Sequence, residues 1–280
     1  MSVNIGFMQG RLSPLVDGKI QSFPWNTWEQ EIPHAKSLGL SIMEWTLDQD
    51  RLYENPLMTS SGQAKIVQLC KKHDFAIPSL TGDCFMQAPF WKAADNNSLD
   101  KLKKDFNSIL DACSKVGIKF VVVPLVDNGR LENMEQENIL VEFLLALQED
   151  LNELDVKIVF ESDFHPAELK RFISRLKCHS FGINYDTGNS AALGLNPFEE
   201  FDAIGDRILN VHIKDRPLAG TTVPLGEGNA DLPSVFSLLE TQGYRANYIL
   251  QTARAIDGEH GPALLQYKSM VEGWVMCNGS

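Results

Sequence analysis

In Asn210-Val211-His212-Ile213-Lys214-Asp215-Arg216, an apolar run that begins at Ile208 delivers a histidine at its end and then breaks into charge, with Leu225-Gly226-Glu227-Gly228 shortly after. That is the pattern of a buried parallel strand emerging into a cleft. One residue group earlier, Phe181 to Asp186 has the same form and ends on a carboxylate, and one group later Asn247 to Gln251 ends on an amide. Strands that stop on polar side chains therefore recur around His212.

Outward from this centre, short β-rich runs alternate with helical patterns, the signature of repeated βα units. Towards the N-terminus the strands are Val156 to Glu161, Phe120 to Leu125, Ala76 to Leu80, Leu40 to Trp45 and Val3 to Met8. Phe120-Val121-Val122-Val123-Pro124-Leu125 is apolar without alternation, as expected where both faces are covered. Helices are expected over about Thr27 to Ser37, Gln63 to His73, Gln136 to Leu154, after His165-Pro166, over Pro197 to Ile204, and from Pro262 to Val275. The clearest runs through Leu99, Leu102, Phe106, Ile109, Leu110, Cys113 and Val116, which share one face, with Gly117 as the stop. Asp231 reads as an N-cap, with Pro233 in the first turn and Gly243 after the end.

Eight such units without a reversal predict an α/β fold of the (β/α)8 barrel type, a single domain over residues 1–280. A chain of 280 residues with 44% hydrophobic content can bury a core of that size. The net charge of -12 disfavours nucleic acid as a partner. The N-terminus lacks the basic segment and apolar region of a signal peptide, and no stretch is long enough to span a bilayer, so a cytoplasmic protein is expected. Five scattered cysteines without a C-x-x-C pair argue against a disulfide framework, and Cys113 falls on a packing stripe.

The loops after the first, third and seventh strands are long for such units, which suggests a site on that face. In the third, Gly82 to Trp91 carries apolar side chains that either cover a bound substrate or pack on the barrel rim. Strand C-termini converge in a barrel, so Glu161, Asp186, His212 and Gln251 become neighbours. Two carboxylates, an imidazole and an amide oxygen suit a divalent cation such as Mn²⁺, Mg²⁺, Co²⁺ or Zn²⁺. Each could equally be an ordinary polar strand end; four on consecutive strands favour the metal.

On Phe160-Glu161, Tyr185-Asp186-Thr187-Gly188-Asn189, Val211-His212-Ile213-Lys214-Asp215, Gly226-Glu227-Gly228 and the strand-eight position of Gln251, the chain resembles the xylose-isomerase-like superfamily of sugar and sugar-phosphate isomerases and epimerases. The resemblance runs over nearly the whole chain and identifies no single substrate. It implies one divalent metal ion held by Glu161, Asp186 and His212, a small sugar or sugar phosphate as substrate, and Glu161 as the base that forms a metal-stabilised enediolate. Barrels of this superfamily often pair, so a homodimer is also implied.

Gln251 departs from the pattern, which has a glutamate there as a fourth ligand and second acid/base; an amide can bind a metal through its oxygen but cannot carry the proton. One-base isomerisation, a lyase reaction and a catalytically degenerate sugar-binding barrel all stay open. Glu227 could supply the missing carboxylate if its loop folds inward, or pair with a loop cation instead. Arg11, Lys214, Arg216 and Arg254 are candidates for an anionic part of the substrate, and Glu44, Asp83 and Asn189 for its hydroxyls. The superfamily's abasic-site endonucleases need more histidines and a basic face than this acidic chain with six histidines offers.

Overall fold

In the computed structural model, which describes residues 4–278, eight parallel strands close into a barrel in chain order. They are β1 (Asn4–Met8), β2 (Ile42–Thr46), β3 (Ala76–Thr81), β4 (Phe120–Leu125), β5 (Lys157–Ser162), β6 (Phe181–Asp186), β7 (Ile208–Ile213) and β8 (Asn247–Leu250), with β8 returning to pair with β1. The expected (β/α)8 barrel is thus the observed one. Val3, the first residue of the expected first strand, lies outside the described residues, as does the side chain of Cys277. The four cysteines whose side chains are described are free.

Helices cover the outside: α1 (Trp28–Ser37), α2 (Ser60–His73), α3 (Asp83–Gln87), α4 (Asn96–Val116), α5 (Met134–Ala146), α6 (Gln148–Leu154), α7 (Pro166–Ser174), α8 (Thr187–Leu193), α9 (Pro197–Ile204), α10 (Leu232–Thr241) and α11 (His260–Asn278). The long helix α4 buries Phe106, Ile109, Leu110 and Cys113, starts on the Asp95 carboxylate, which accepts the Ser98 N–H at 2.8 Å, and stops at Gly117, whose φ of 88° suits glycine. Asp231 caps α10 by accepting the Ser234 N–H at 3.2 Å. Among the described residues no helix is long and apolar enough to cross a membrane.

Two expectations change. The single helix over Gln136 to Leu154 is two, α5 and α6, because the chain breaks at Leu147 while Leu144, Leu147 and Leu151 stay buried and keep the apolar pattern continuous. In the third loop, Phe85, Phe90 and Trp91 pack onto the rim, with Phe90 edge-on to Phe143 at 4.8 Å, whereas Met86 and Gln87 face the cavity described below. Helix α8 had no apolar period to announce it, since Thr187-Gly188-Asn189-Ser190 is polar or small.

Candidate active site

Side chains alternate along a strand, so Asn184 and Asp186 on β6 and Asn210 and His212 on β7 all point into the barrel. The register sets Asn184 beside Asn210 and Asp186 beside His212. Glu161, on β5, completes a buried group in which one donor atom from each of Glu161, Asp186 and His212 lies within 4.8 Å of the others.

Each member is held in place. His212 is fully buried; its Nε2 lies 2.6 Å from Glu44 Oε1, across the barrel on β2, and its Nδ1 lies 3.1 Å from Glu161 Oε2 and 3.9 Å from Asp186 Oδ2. Glu44 is itself held by the Thr81 hydroxyl and by Asn210 Nδ2 at 2.9 Å. Glu161 accepts from Asn189 Nδ2 at 2.6 Å and from Asn184 Nδ2 at 3.2 Å. Asp186 caps α8, its Oδ1 accepting the N–H groups of Gly188 and Asn189 at 2.9 and 2.8 Å, which leaves Oδ2 turned to the Lys214 ammonium at 2.7 Å.

Burial works against charge here, yet the carboxylates prevail at His212. Desolvation would lower the imidazole's pKa, but Glu44 and Glu161 raise it to about 10. Desolvation likewise opposes ionisation of Glu161, and the hydrogen bond from His212 with the charge of Lys214 holds that carboxyl down to about 2. Burial keeps Asp186 above its ordinary value despite Lys214.

These residues fit a divalent cation: with Nε2–H donating to Glu44, Nδ1 would, once deprotonated, present its lone pair beside Glu161 and Asp186, the carboxylate–histidine arrangement that orients metal-binding imidazoles. An ion must displace the Nδ1 proton, which His212 retains up to about pH 10. Apparent Mn²⁺ affinity is therefore expected to rise with pH, by about tenfold per unit. Titration calorimetry at pH 6, 7 and 8, in buffers of different ionisation enthalpy, reads both the slope and the released proton.

Above the group opens a cavity of about 540 Å³, lined by Arg11, Asp83, Glu161, Asn189, Lys214, Arg216 and Gln251 among the residues singled out from the sequence. Arg11 is buried, with Nε donating to Thr252 O at 3.0 Å and Nη1 to Ile20 O at 2.9 Å. Arg216 donates to Gly220 O and, at 2.8 Å, to Asn189 Oδ1. Asp83 accepts from Gln21 Nε2 at 2.8 Å, and burial lifts its carboxyl to about 7. Gln251 accepts from Lys214 Nζ at 2.8 Å and donates to Gln21 Oε1 at 3.1 Å.

Three candidates sit elsewhere. Glu44 lies beneath the cavity as the partner of His212. Arg254 pins the β1 loop by donating to the carbonyls of Gly10 and Ser13, while Glu31 accepts the Gly10 and Leu12 N–H groups at 2.9 and 3.1 Å. Glu227 is exposed and does not line the cavity. Its flanking glycines have another use: Gly226 and Gly228 N–H groups donate to Asp215 Oδ2 at 2.9 and 3.0 Å, and Ala230 N–H to Oδ1 at 3.0 Å. A Cβ on Gly228 would lie 2.2 Å from that carboxylate. Asp215→Ala leaves three N–H groups without their acceptor, and is expected to cost about 2 kcal/mol of stability, read as a lower thermal midpoint.

The sequence reading passed over Asn184, Asn210 and Gln21. Asn184 and Asn210 were detectable, because each stands two residues before a strand-end candidate and so shares its face. Gln21 carried no local signal.

A closed parallel barrel gathers two carboxylates and an imidazole at the C-terminal ends of adjacent strands, a group that could hold a cation. The chain belongs to the xylose isomerase-like TIM barrel family, whose model matches residues 32–269. SgbU of Haemophilus influenzae, provisionally named an L-ribulose-5-phosphate 3-epimerase, is 24% identical over 241 residues, covering 80% of this chain and 83% of that protein. Inosose isomerase of Bacillus subtilis is 25% identical over 170 residues, 55% of this chain and 61% of that protein. The fold is shared with a zinc-bound IolI protein at a TM-score of 0.76 and 19% identity, over 99% of each chain.

Proposed function

We propose that this protein is a divalent-metal-dependent isomerase of a small, uncharged polyhydroxy ketone, with Glu161 as the base. The observation that carries the reading is the cluster of Glu161, Asp186 and His212, of which Glu161 reaches the cavity. Relatives named as sugar epimerases and isomerases support the reaction class. A bound ion of the Mn²⁺, Mg²⁺, Co²⁺ or Zn²⁺ kind would polarise the substrate carbonyl. Glu161, ionised and facing the cavity, takes the proton from the carbon beside that carbonyl. Asn189 and Asn184 hold its two oxygens, so the carboxylate cannot turn away. Epimerisation through a second base is less well supported, because the strand-eight residue is an amide.

The preference for an uncharged substrate comes from the cations. Among the described residues, the four that line the cavity already donate to protein: Arg11 to two carbonyls, Arg216 to Gly220 and Asn189, Lys214 to Asp186 and Gln251, Arg130 to Asp163. Asp127, Asp163 and Glu161 line the same space and disfavour a phosphate. Asp83, raised by burial to about 7, is shared between acid and carboxylate near neutral pH and suits a hydroxyl. A cytoplasmic location fits such a substrate.

The test is solvent deuterium exchange by NMR with Mn²⁺-loaded protein, offered inosose, D-allulose and L-ribulose 5-phosphate. Deuterium in either uncharged ketone and none in the phosphate ester is the expected result. Exchange confined to the ester would sink the substrate class, and tight ketone binding without exchange would point instead to a sugar-binding barrel, the reading that Gln251 favours.

A further inference from the structure

The strand-eight amide is in hydrogen-bond contact with a lysine. Lys214 Nζ lies 2.8 Å from Gln251 Oε1 and 2.7 Å from Asp186 Oδ2, so one ammonium bridges the fourth family position and one of the three clustered residues. We propose that Gln251 seats the ammonium of Lys214 and is not a metal ligand, so that the metal centre has three protein ligands and Lys214 is a fixed positive charge that competes with the ion for Asp186. The inference rests on the metal-dependent reading above and replaces the four-ligand set expected from the sequence.

Three features show that the lysine's place is built. Its side chain is only 11% exposed. Its backbone is clasped at both ends by Thr187, whose hydroxyl accepts the Lys214 N–H at 2.9 Å and donates to the Lys214 carbonyl at 2.5 Å. Gly188 makes room for the aliphatic stem, since a Cβ there would come within 2.6 Å of Lys214 Cγ and 2.9 Å of its Cβ.

The amide is oriented as well. Asp83 accepts from Gln21 Nε2, which turns Gln21 Oε1 towards Gln251 Nε2 and leaves Gln251 Oε1 for the ammonium. An amide suits this task, because it accepts from an ammonium without adding a charge that would draw a cation to strand eight. Two of the three ammonium donors are engaged, and Lys214 lines the cavity, so the third can reach a substrate oxygen on which negative charge develops. The cost is electrostatic: a divalent ion entering beside Asp186 meets a positive charge already there, in a site where screening is weak.

The experiment is Mn²⁺ binding, by titration calorimetry and by the EPR signal of free Mn²⁺, for wild type, Gln251→Ala, Lys214→Met and His212→Ala. Gln251→Ala is expected to change the dissociation constant by less than about threefold, and Lys214→Met to tighten it by about tenfold or more through loss of the competing charge. Lys214→Gln, which removes the charge and keeps a donor for Asp186, gives the same reading where the methionine variant does not fold. Binding that is lost in His212→Ala, weakened tenfold or more in Gln251→Ala and unchanged in Lys214→Met would overturn this assignment and leave the metal-dependent reading standing. Binding absent from wild type but present in Lys214→Met supports the competing ammonium. Binding absent from both overturns the two together.

Discussion

Glu161→Gln, assayed at saturating Mn²⁺, is expected to slow deuterium exchange into the substrate by about 10³-fold, within the range that one positioned acid/base group contributes. The substitution keeps the shape and one acceptor oxygen, so the cavity and one of the two contacts to Asn184 and Asn189 survive. What it removes is the negative charge that makes the side chain basic enough to receive the proton. Of the carboxylates in the cluster, Glu161 lines the cavity and Asp186 does not, which leaves Glu161 as the one placed to act. Exchange at the wild-type rate in the saturated variant would reduce Glu161 to a ligand, and the base would have to be sought at Asp83.

His212→Ala is the substitution with the widest consequences. It removes the only nitrogen donor of the described cluster, and metal binding should disappear with it. It also takes the shared cationic partner from Glu44 and Glu161, both buried, and breaking such a pair costs about 3–5 kcal/mol. For a chain of this size, that is a fall of roughly 10 °C in the thermal midpoint. Adding Glu44→Gln to the alanine variant removes one of the stranded charges and is expected to recover part of the loss. The pH dependence has a definite sign in the metal-free protein. His212 is raised from its ordinary 6.5 to about 10, so its contribution is complete below 6.5 and disappears as pH rises through about 10. The stability gap between wild type and His212→Ala should therefore narrow over that window; a gap that widens with pH would mean that the imidazole is buried neutral.

Much of the candidate site was legible because strand ends are local features. Glu161, Asp186 and His212 each close an apolar run, and parallel strands in a barrel bring their C-terminal ends to one face. The partners of those residues were not legible in the same way. The bond between His212 and Glu44 joins β7 to β2 across the barrel, and Gln21 reaches Gln251 from the far end of the chain. Charge was the least readable property of all. Arg11, Arg216 and Arg254 looked like anion receptors, yet their donors hold loop carbonyls, and Glu227 stands outside the cavity while its glycines clasp Asp215.

By itself, the order of apolar runs and helical stripes determined the barrel, because eight βα units with both strand faces covered bury their apolar surface best by closing into one sheet. It also determined which face would carry polar side chains, since that depends only on where each run stops. Tertiary structure alone decided which of those side chains are available to a ligand. That depends on hydrogen bonds and ion pairs between residues brought together only by closure, where a lysine can take an amide oxygen and a carbonyl can engage an arginine.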